Sequence, residues 1–239
     1  KMNNKNFCMS SYLAFRYIEH EGMDFYEGLH HENIPLPNPE HFTYVHTAQD
    51  IDNAIQKVFA SLKGEKLGIC LSGGMDSAIL ASYMRGCDAY TFRFLGGEYQ
   101  KEELARAEYY AKYYGLNLHY VDINWNTVQN CLSPVIRSKN APVLSIEPQL
   151  YQAAIQAQAD GVTRLIVGES SDLIFGGMDQ LLSKDWTVED FAKRYTFLDP
   201  TLVLKQPKDI SYLYERYRQG ERIDFLHFMD DVFSRESSS

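Results

Sequence analysis

The chain has 239 residues, of which 45% are hydrophobic and 23% charged, and this composition is typical of a globular protein with one or at most two domains. Its net charge of −9 argues against a broad nucleic-acid surface, so we expect no nucleic-acid partner. We find no apolar run long enough to span a bilayer and no signal-peptide pattern, so we expect no membrane association and a cytoplasmic location.

The first 45 residues are interpreted as an N-terminal extension rather than a separate domain. Residues 11–18 are predicted to form one apolar helix or strand, and a proline-rich connection over residues 35–39 follows. Thr47 then precedes an amphipathic pattern that runs to about Leu62. A threonine in this place is a typical helix N-cap, so the pattern predicts a helix.

Residues 67–77 read Leu-Gly-Ile-Cys-Leu-Ser-Gly-Gly-Met-Asp-Ser and lead into a second apolar-periodic segment that ends near Gly86. The pattern predicts a strand, a glycine loop and a helix. Adjacent glycines allow the backbone to approach an anion, and the first turn of a helix adds unpaired N–H donors. We therefore predict a phosphate or pyrophosphate ligand, with a simple tight turn as the alternative. The spacing matches neither of the common NTPase and dinucleotide motifs.

Asp76 lies inside this loop and is unfavourable for an anion site unless a cation mediates the contact. Magnesium, with its oxygen ligands, is the usual mediator between a carboxylate and phosphates. Asp76 is therefore a candidate metal ligand.

Strands and helices alternate after the glycine loop. We predict strands over residues 89–94, 116–123 and 163–168, and helices over residues 99–114, 125–137 and 147–159. This alternation indicates an α/β domain over residues 46–180, with a parallel sheet and helices on both faces. Ligands of such sheets bind at the carboxyl ends of the strands. Residues 181–239 are interpreted as a helical C-terminal segment that need not be complete.

The segment that follows the fourth strand reads Gly-Glu-Ser-Ser-Asp-Leu-Ile-Phe-Gly-Gly over residues 168–177. The first loop resembles the Ser-Gly-Gly-x-Asp-Ser loop of the PP-loop ATP pyrophosphatase superfamily. The pair of loops resembles the asparagine-synthetase class, in which the second loop reads Gly-Glu-Gly-x-Asp-Glu-Leu-Phe-Gly-Gly. Residues 197–200 are similar to the Pro-Phe-Leu-Asp stretch of that family, with Thr196 in place of the proline. The resemblance implies a Rossmann-like fold of the HUP, or adenine nucleotide alpha hydrolase-like, type.

The resemblance also implies a reaction. Members of this class adenylate a carboxylate with ATP, release pyrophosphate, and let an amine displace AMP to form an amide. ATP and Mg²⁺ are then the expected cofactors, and a small-molecule carboxylate is the expected substrate.

Site residues follow by the same resemblance, position by position. Asp76 and Asp172 hold Mg²⁺, and Glu169 is the general base or the carboxylate that positions the amine. For Glu169 the alternative is a ribose or loop-capping contact, and for Asp172 it is a helix N-cap. The ATP-binding positions are Leu71, Ser72, Gly73, Gly74, Asp76, Ser77, Phe92 and Gly168. The substrate pocket is expected to include Glu98, Tyr99, residues 145–149 and the segment after Gly177.

The chain departs from the family pattern at several positions. Leu173 replaces a glutamate and Ser170 replaces a glycine. We expect no glutaminase domain, so the nitrogen is expected to come from free ammonia, a partner glutaminase, another amine or the substrate itself. A homodimer is a further expectation. The family's C-terminal cationic residue is not assigned, because Lys205 and Lys208 follow residues 197–200 too closely.

Two alternative functions remain open on the sequence. Other ATP pyrophosphatases replace a carbonyl oxygen with sulfur carried on a cysteine, and Cys131 is the candidate carrier, although a solitary helical cysteine is more often buried. The second alternative is a non-catalytic nucleotide-binding module. Retention of Asp76, Glu169 and Asp172 argues against it, whereas Leu173 favours it.

Overall fold

The computed structural model describes residues 4–20, 22–29, 38, 40, 42–96, 101–169, 171, 175, 181 and 184–236. The chain divides into two compact units. Unit 1 comprises Lys1–Phe42 and Met178–Ser239, and unit 2 comprises Thr43–Gly177.

The α-helices and strands of both units, within the described ranges, have the following bounds, and they alternate through most of unit 2. The helices are α1 Lys5–Phe15, α2 Ala48–Ser61, α3 Met75–Ala81, α4 Lys101–Tyr114, α5 Trp125–Lys139, α6 Glu147–Ala159, α7 Val188–Tyr195, α8 Tyr212–Glu215 and α9 Phe225–Glu236. The strands are β1 Leu67–Cys70, β2 Asp88–Phe94, β3 Asn117–Ile123, β4 Arg164–Val167, β5 Arg218–Gln219 and β6 Arg222–Ile223.

Unit 2 is built on a parallel sheet with the strand order β3-β2-β1-β4. β1 lies between β2 and β4, with Cys70 paired with Tyr90 on one side and with Val167 on the other. The predicted α/β class with a parallel sheet is confirmed.

Helices cover both faces of this sheet, as predicted. Because successive strand residues point to opposite faces, Ile69 packs with Ala81 and Ala107, from α3 and α4, in one core cluster. Cys70 points the other way and packs with Ala153 and Ala157 of α6.

Local signals explain where several elements begin and end. α2 begins at a capping box in which Thr47 and Asp50 bond each other's backbone N–H groups. α3 ends at Ala81, earlier than its sequence pattern predicts, and a turn follows it up to Gly86. The φ of Gly86 is +81°, a backbone conformation that favours glycine. The segment over residues 11–18, predicted as helix or strand, lies partly in α1, a helix that begins earlier, at Lys5.

Unit 1 has an aromatic core of its own. Phe191 of α7, Tyr214 of α8 and Phe228 of α9 are almost fully buried and pack ring against ring. Phe15 of α1 also packs against Tyr214, with 5.1 Å between ring centroids. The N-terminal helix therefore shares one core with the C-terminal helices.

Two backbone hydrogen bonds tie the end of α1 to the segment after α7. The amide of Phe197 donates to the carbonyl of Ala14 at 3.1 Å, and the amide of Leu198 donates to the carbonyl of Leu13 at 2.9 Å. The described helices include none that is both long enough and apolar enough to cross a membrane.

Candidate active site

The chain order of the strands reverses direction at β1. From β1 the chain moves outward through β2 to β3, and it then returns to place β4 on the opposite side of β1. Because β4 lies parallel beside β1, the loops after these two strands leave the same edge of the sheet next to each other. Ligands of open α/β sheets bind at such a switch point.

The serine at position 77 holds the glycine loop in shape. The Ser77 hydroxyl is buried, and it lies 2.9 Å from the Ser72 hydroxyl, 3.1 Å from the Ser72 carbonyl oxygen and 3.2 Å from the Gly74 carbonyl oxygen. Because these contacts stay within the loop, the hydroxyl fixes loop geometry, and the backbone remains as the group that can meet a phosphate.

Helix α4 packs directly on the same loop. A Cβ atom on Gly73 would lie 2.4 Å from the carbonyl oxygen of Glu103, which no side chain can occupy. Arg106, one turn further along α4, donates from Nε to the Gly73 carbonyl oxygen at 3.0 Å. Gly73 does not have a positive φ, so the residue must be glycine here for space rather than for its backbone conformation.

The second motif meets the first at Gly168. A Cβ atom on Gly168 would lie 3.0 Å from the backbone nitrogen of Ser77 and 3.3 Å from the carbonyl carbon of Asp76. Gly168 therefore packs against the first turn of α3. The two loops that the sequence singles out are in contact.

Two carboxylates at this edge have no partner among the described residues. Asp76 is half-buried in the first turn of α3, and Glu169 is exposed immediately after Gly168; neither makes a hydrogen bond or an ion pair with the part of the chain that the structure describes. The N-cap position of α3 is Gly74, which provides no side-chain cap. This edge of the sheet therefore has two carboxylates that could bind a ligand, beside the backbone N–H groups of the first turn of α3.

Asp172, the second predicted magnesium ligand, lies outside the described residues. Within the described ranges, no group of three or more histidine, cysteine, aspartate or glutamate side chains is arranged to hold a metal ion. Asp76 by itself fits a magnesium site, because Mg²⁺ in nucleotide sites takes one or two protein carboxylates and completes its shell with phosphate and water oxygens.

Two of the predicted ATP-binding positions, Leu71 and Phe92, belong to the sheet region. Leu71 follows β1, its amide donates to the Tyr90 carbonyl at 2.8 Å, and the whole residue is only 1% exposed, so it offers little accessible surface to a nucleotide. Phe92 lies on β2, two residues beyond Tyr90, and packs partly buried on the α6 face of the sheet.

Part of the predicted substrate pocket is described. At the start of α6, Glu147 forms an ion pair with Lys139 at 2.5 Å and accepts a hydrogen bond from the Leu144 amide at 2.7 Å. Glu147 therefore fixes the connection between α5 and α6. Glu98, Tyr99, Ser170, Leu173 and the segment that begins after Gly177 and ends at residue 180 lie outside the described residues.

Cys131 does not have the environment of a sulfur carrier. It is 3% exposed on α5, and its thiol lies 3.7 Å from Oε1 of Gln152. Burial raises the pKa of the Cys131 thiol, whereas a reactive cysteine needs an exposed, low-pKa thiolate. This finding argues against the sulfur-insertion alternative.

Arg106 is the site residue that sequence reasoning missed. It lies outside both loop motifs. The sequence shows only that it is a basic residue in the second turn of a helix that follows a strand. Such a residue is normally a solvated surface charge. Its contact with Gly73 depends on how α4 packs against the loop.

Residues 50–232 match the model of the asparagine synthase family. No curated protein matches the chain significantly.

Solved structures that are similar to this chain include the following three. NMN synthetase from Francisella tularensis is 16% identical, with a TM-score of 0.37 over 80% of this chain and 92% of that one. The predicted subunit of a tRNA methyltransferase from Methanocaldococcus jannaschii is 16% identical, with a TM-score of 0.30 over 72% and 90%. The NH3-dependent NAD synthetase from Campylobacter jejuni is 14% identical, with a TM-score of 0.34 over 80% and 92%. TM-scores below 0.5 support no assignment of substrate or activity.

The family match covers most of the chain and includes both loops that meet at Gly168. Such a match supports an ATP-dependent amide ligase of the PP-loop superfamily as the class of activity. The chain belongs to the asparagine synthase family.

Proposed function

We propose that the chain forms an amide at the expense of ATP, releasing AMP and pyrophosphate, by adenylating a carboxylate for attack by ammonia or another amine. The contact of Gly168 with the first turn of α3 is the observation that carries this proposal. It joins the glycine loop, with Asp76, to the loop that begins with Glu169. An adenylating ligase needs both parts at one place.

The reaction has two steps. A carboxylate oxygen attacks the α-phosphorus of ATP, the bond between the α- and β-phosphates breaks, and pyrophosphate leaves. The amine nitrogen then attacks the acyl carbon, and AMP leaves with the former carboxylate oxygen. Because a carboxylate is a poor electrophile, ATP supplies the leaving group and the protein supplies alignment and charge neutralisation.

The glycine loop is the proposed phosphate cradle. Its backbone from Ser72 to Ser77 contacts the phosphates, and the Ser77 hydroxyl and Arg106 hold that backbone in place. Asp76 and Asp172 are the proposed ligands of Mg²⁺. When bound, this ion neutralises charge on the phosphate oxygens.

Glu169 is the proposed acceptor for the proton that the amine loses. Its carboxylate is exposed and has no partner among the described residues, so it is available to a substrate at the edge of the sheet. The role requires the carboxylate to come within hydrogen-bond reach of the attacking nitrogen. The nitrogen source is free ammonia, ammonia from a partner glutaminase, or an amine on the substrate itself.

Analysis of the nucleotide products tests the proposal. The protein is incubated with Mg-ATP, ammonia and a panel of carboxylates that includes aspartate, and the nucleotides are separated by chromatography. We expect AMP and pyrophosphate that depend on one carboxylate and disappear in Asp76→Ala. Asp185→Ala, at an exposed aspartate of unit 1, serves as the matched control and keeps full activity. Production of ADP and phosphate would contradict the proposal.

A further inference from the structure

Unit 1 contains a cavity that the proposed reaction does not use. Its volume is about 330 Å³, which lies within the range of small-ligand sites. Its wall includes the end of α1, at Phe15 and Arg16, and the end of α7 with the following residues, Arg194 to Phe197. The wall contains two arginines and, among the described residues, no carboxylate.

Arg16 is held against the cavity wall by stacking. Its guanidinium carbon lies 4.3 Å from the centre of the Phe197 ring. A guanidinium that stacks on an aromatic face keeps its N–H groups in the plane of the stack, where they can bond an oxyanion edge-on. The backbone that carries this ring is anchored, because the amide of Phe197 donates to the carbonyl of Ala14.

Arg194 contributes a second positive charge to the cavity wall. It lies in the last turn of α7, and the part of the chain that the structure describes offers it no hydrogen bond or ion pair. A cation in this turn also complements the helix dipole. The dipole explains a cation on the helix but does not explain a second guanidinium in the wall of the same cavity.

We propose that this cavity binds the oxyanion group of a small molecule, a carboxylate or a phosphate, with Arg16 and Arg194 as its cationic donors. Arginine matches both groups, because its planar fork bonds two oxygens at once. The inference concerns unit 1 alone and does not rest on the proposed ligase activity.

Arginine footprinting on the full chain tests the site without any assay of turnover. The protein reacts with phenylglyoxal in sodium succinate, in inorganic phosphate or in chloride of equal ionic strength, and peptide mass spectrometry follows each arginine. In succinate or phosphate we expect the reaction of Arg16 and Arg194 to slow about tenfold at a ligand concentration ten times the dissociation constant. Arg137 and Arg222, which bond Ser133 and Asp185, should react unchanged.

The two probes identify the ligand chemistry. Protection by succinate alone assigns a carboxylate, protection by phosphate alone assigns a phosphate, and protection by both assigns a general oxyanion site. Each of these results supports the proposal. The proposal is overturned if neither succinate nor phosphate protects Arg16 and Arg194, or if Arg137 and Arg222 are protected equally.

A matched pair of variants gives an independent test by equilibrium dialysis of the labelled probe that protects. Arg194→Gln should weaken binding about tenfold, since it removes a charge-assisted pair of hydrogen bonds. Lys205→Gln removes the same charge from an exposed position outside the cavity wall and should leave binding unchanged. Equal loss in both variants would mean general charge attraction and would overturn the proposal.

Discussion

Gly168 packs so closely against the backbone of Ser77 that a Cβ atom at position 168 would lie 3.0 Å from the Ser77 nitrogen. This contact joins the loop after β4 to the helix that follows the glycine loop. Both neighbours are backbone, so neither can move aside as a side chain would. The spacing between the two motif loops is therefore set by the absence of a side chain at Gly168.

Gly168→Ala should separate the two loops. We expect overpacking to cost about 1–3 kcal/mol of folding free energy and to weaken ATP binding. Isothermal calorimetry with Mg-ATP measures the effect on binding. Gly64→Ala is the control, because Gly64 has a φ of +99° and open space around it, so alanine there introduces backbone strain without a contact at the site. If both variants bind ATP as the wild type does, the contact does not set the site.

Arg106→Gln should loosen the glycine loop. Loss of the hydrogen bond from Nε to the Gly73 carbonyl removes about 1 kcal/mol of net stabilisation, so we expect ATP affinity to fall about fivefold. Arg137→Gln is the matched control on α5, where the arginine bonds only Ser133 among the described residues. The idea fails if the two variants bind ATP with equal affinity.

Acid stability should depend on Asp88. His119 Nε2 lies 3.0 Å from the Asp88 carboxylate and Lys66 lies 3.4 Å from it, and these contacts, the one with His119 first, hold the pKa of Asp88 below its usual value. A depressed folded-state pKa gives stability that is present above the unfolded pKa, about 3.9, and is lost as the pH falls through the folded pKa.

Asp88→Asn removes this dependence. Chemical denaturation from pH 6 down to about pH 2.5 should show that the free energy of unfolding falls more steeply in the wild type than in the variant. At pH 6 the wild type should be the more stable protein. Parallel curves over the whole range would show that Asp88 is not coupled to folding.

The Cys131 thiol should react slowly with alkylating reagents in the folded protein. Because its thiol is buried and its pKa is raised, we expect iodoacetamide to modify it slowly in the folded protein and rapidly in urea. Cys87 is only half-buried and provides an internal comparison that should react earlier. Fast modification of folded Cys131, together with loss of activity in Cys131→Ser, would restore the sulfur-insertion alternative.

Much of unit 2 follows from sequence patterns that act over short distances. The apolar run before Ser72 and the glycines that end it predict the strand and loop, and the alternation of strands with helices predicts the parallel sheet. The meeting of the loops at Gly168 then follows from topology, because β4 lies beside β1.

Other features depend on packing that no local pattern encodes. The bond from Arg106 to Gly73 requires the position of α4 relative to the loop, which spacing does not give. The shared core of Phe15 and Tyr214 joins positions far apart in the chain. The strands β5 and β6 have two residues each, too few to show a period.

The transfer of an oxygen isotope tests the central claim most directly. A carboxylate that supports turnover is labelled with ¹⁸O and incubated with the protein, Mg-ATP and ammonia. Mass spectrometry then measures the ¹⁸O content of the products. Adenylation predicts one ¹⁸O atom in the released AMP, because the carboxylate oxygen leaves with the nucleotide. Label in inorganic phosphate together with ADP would show activation by the γ-phosphate instead, and it would contradict the account.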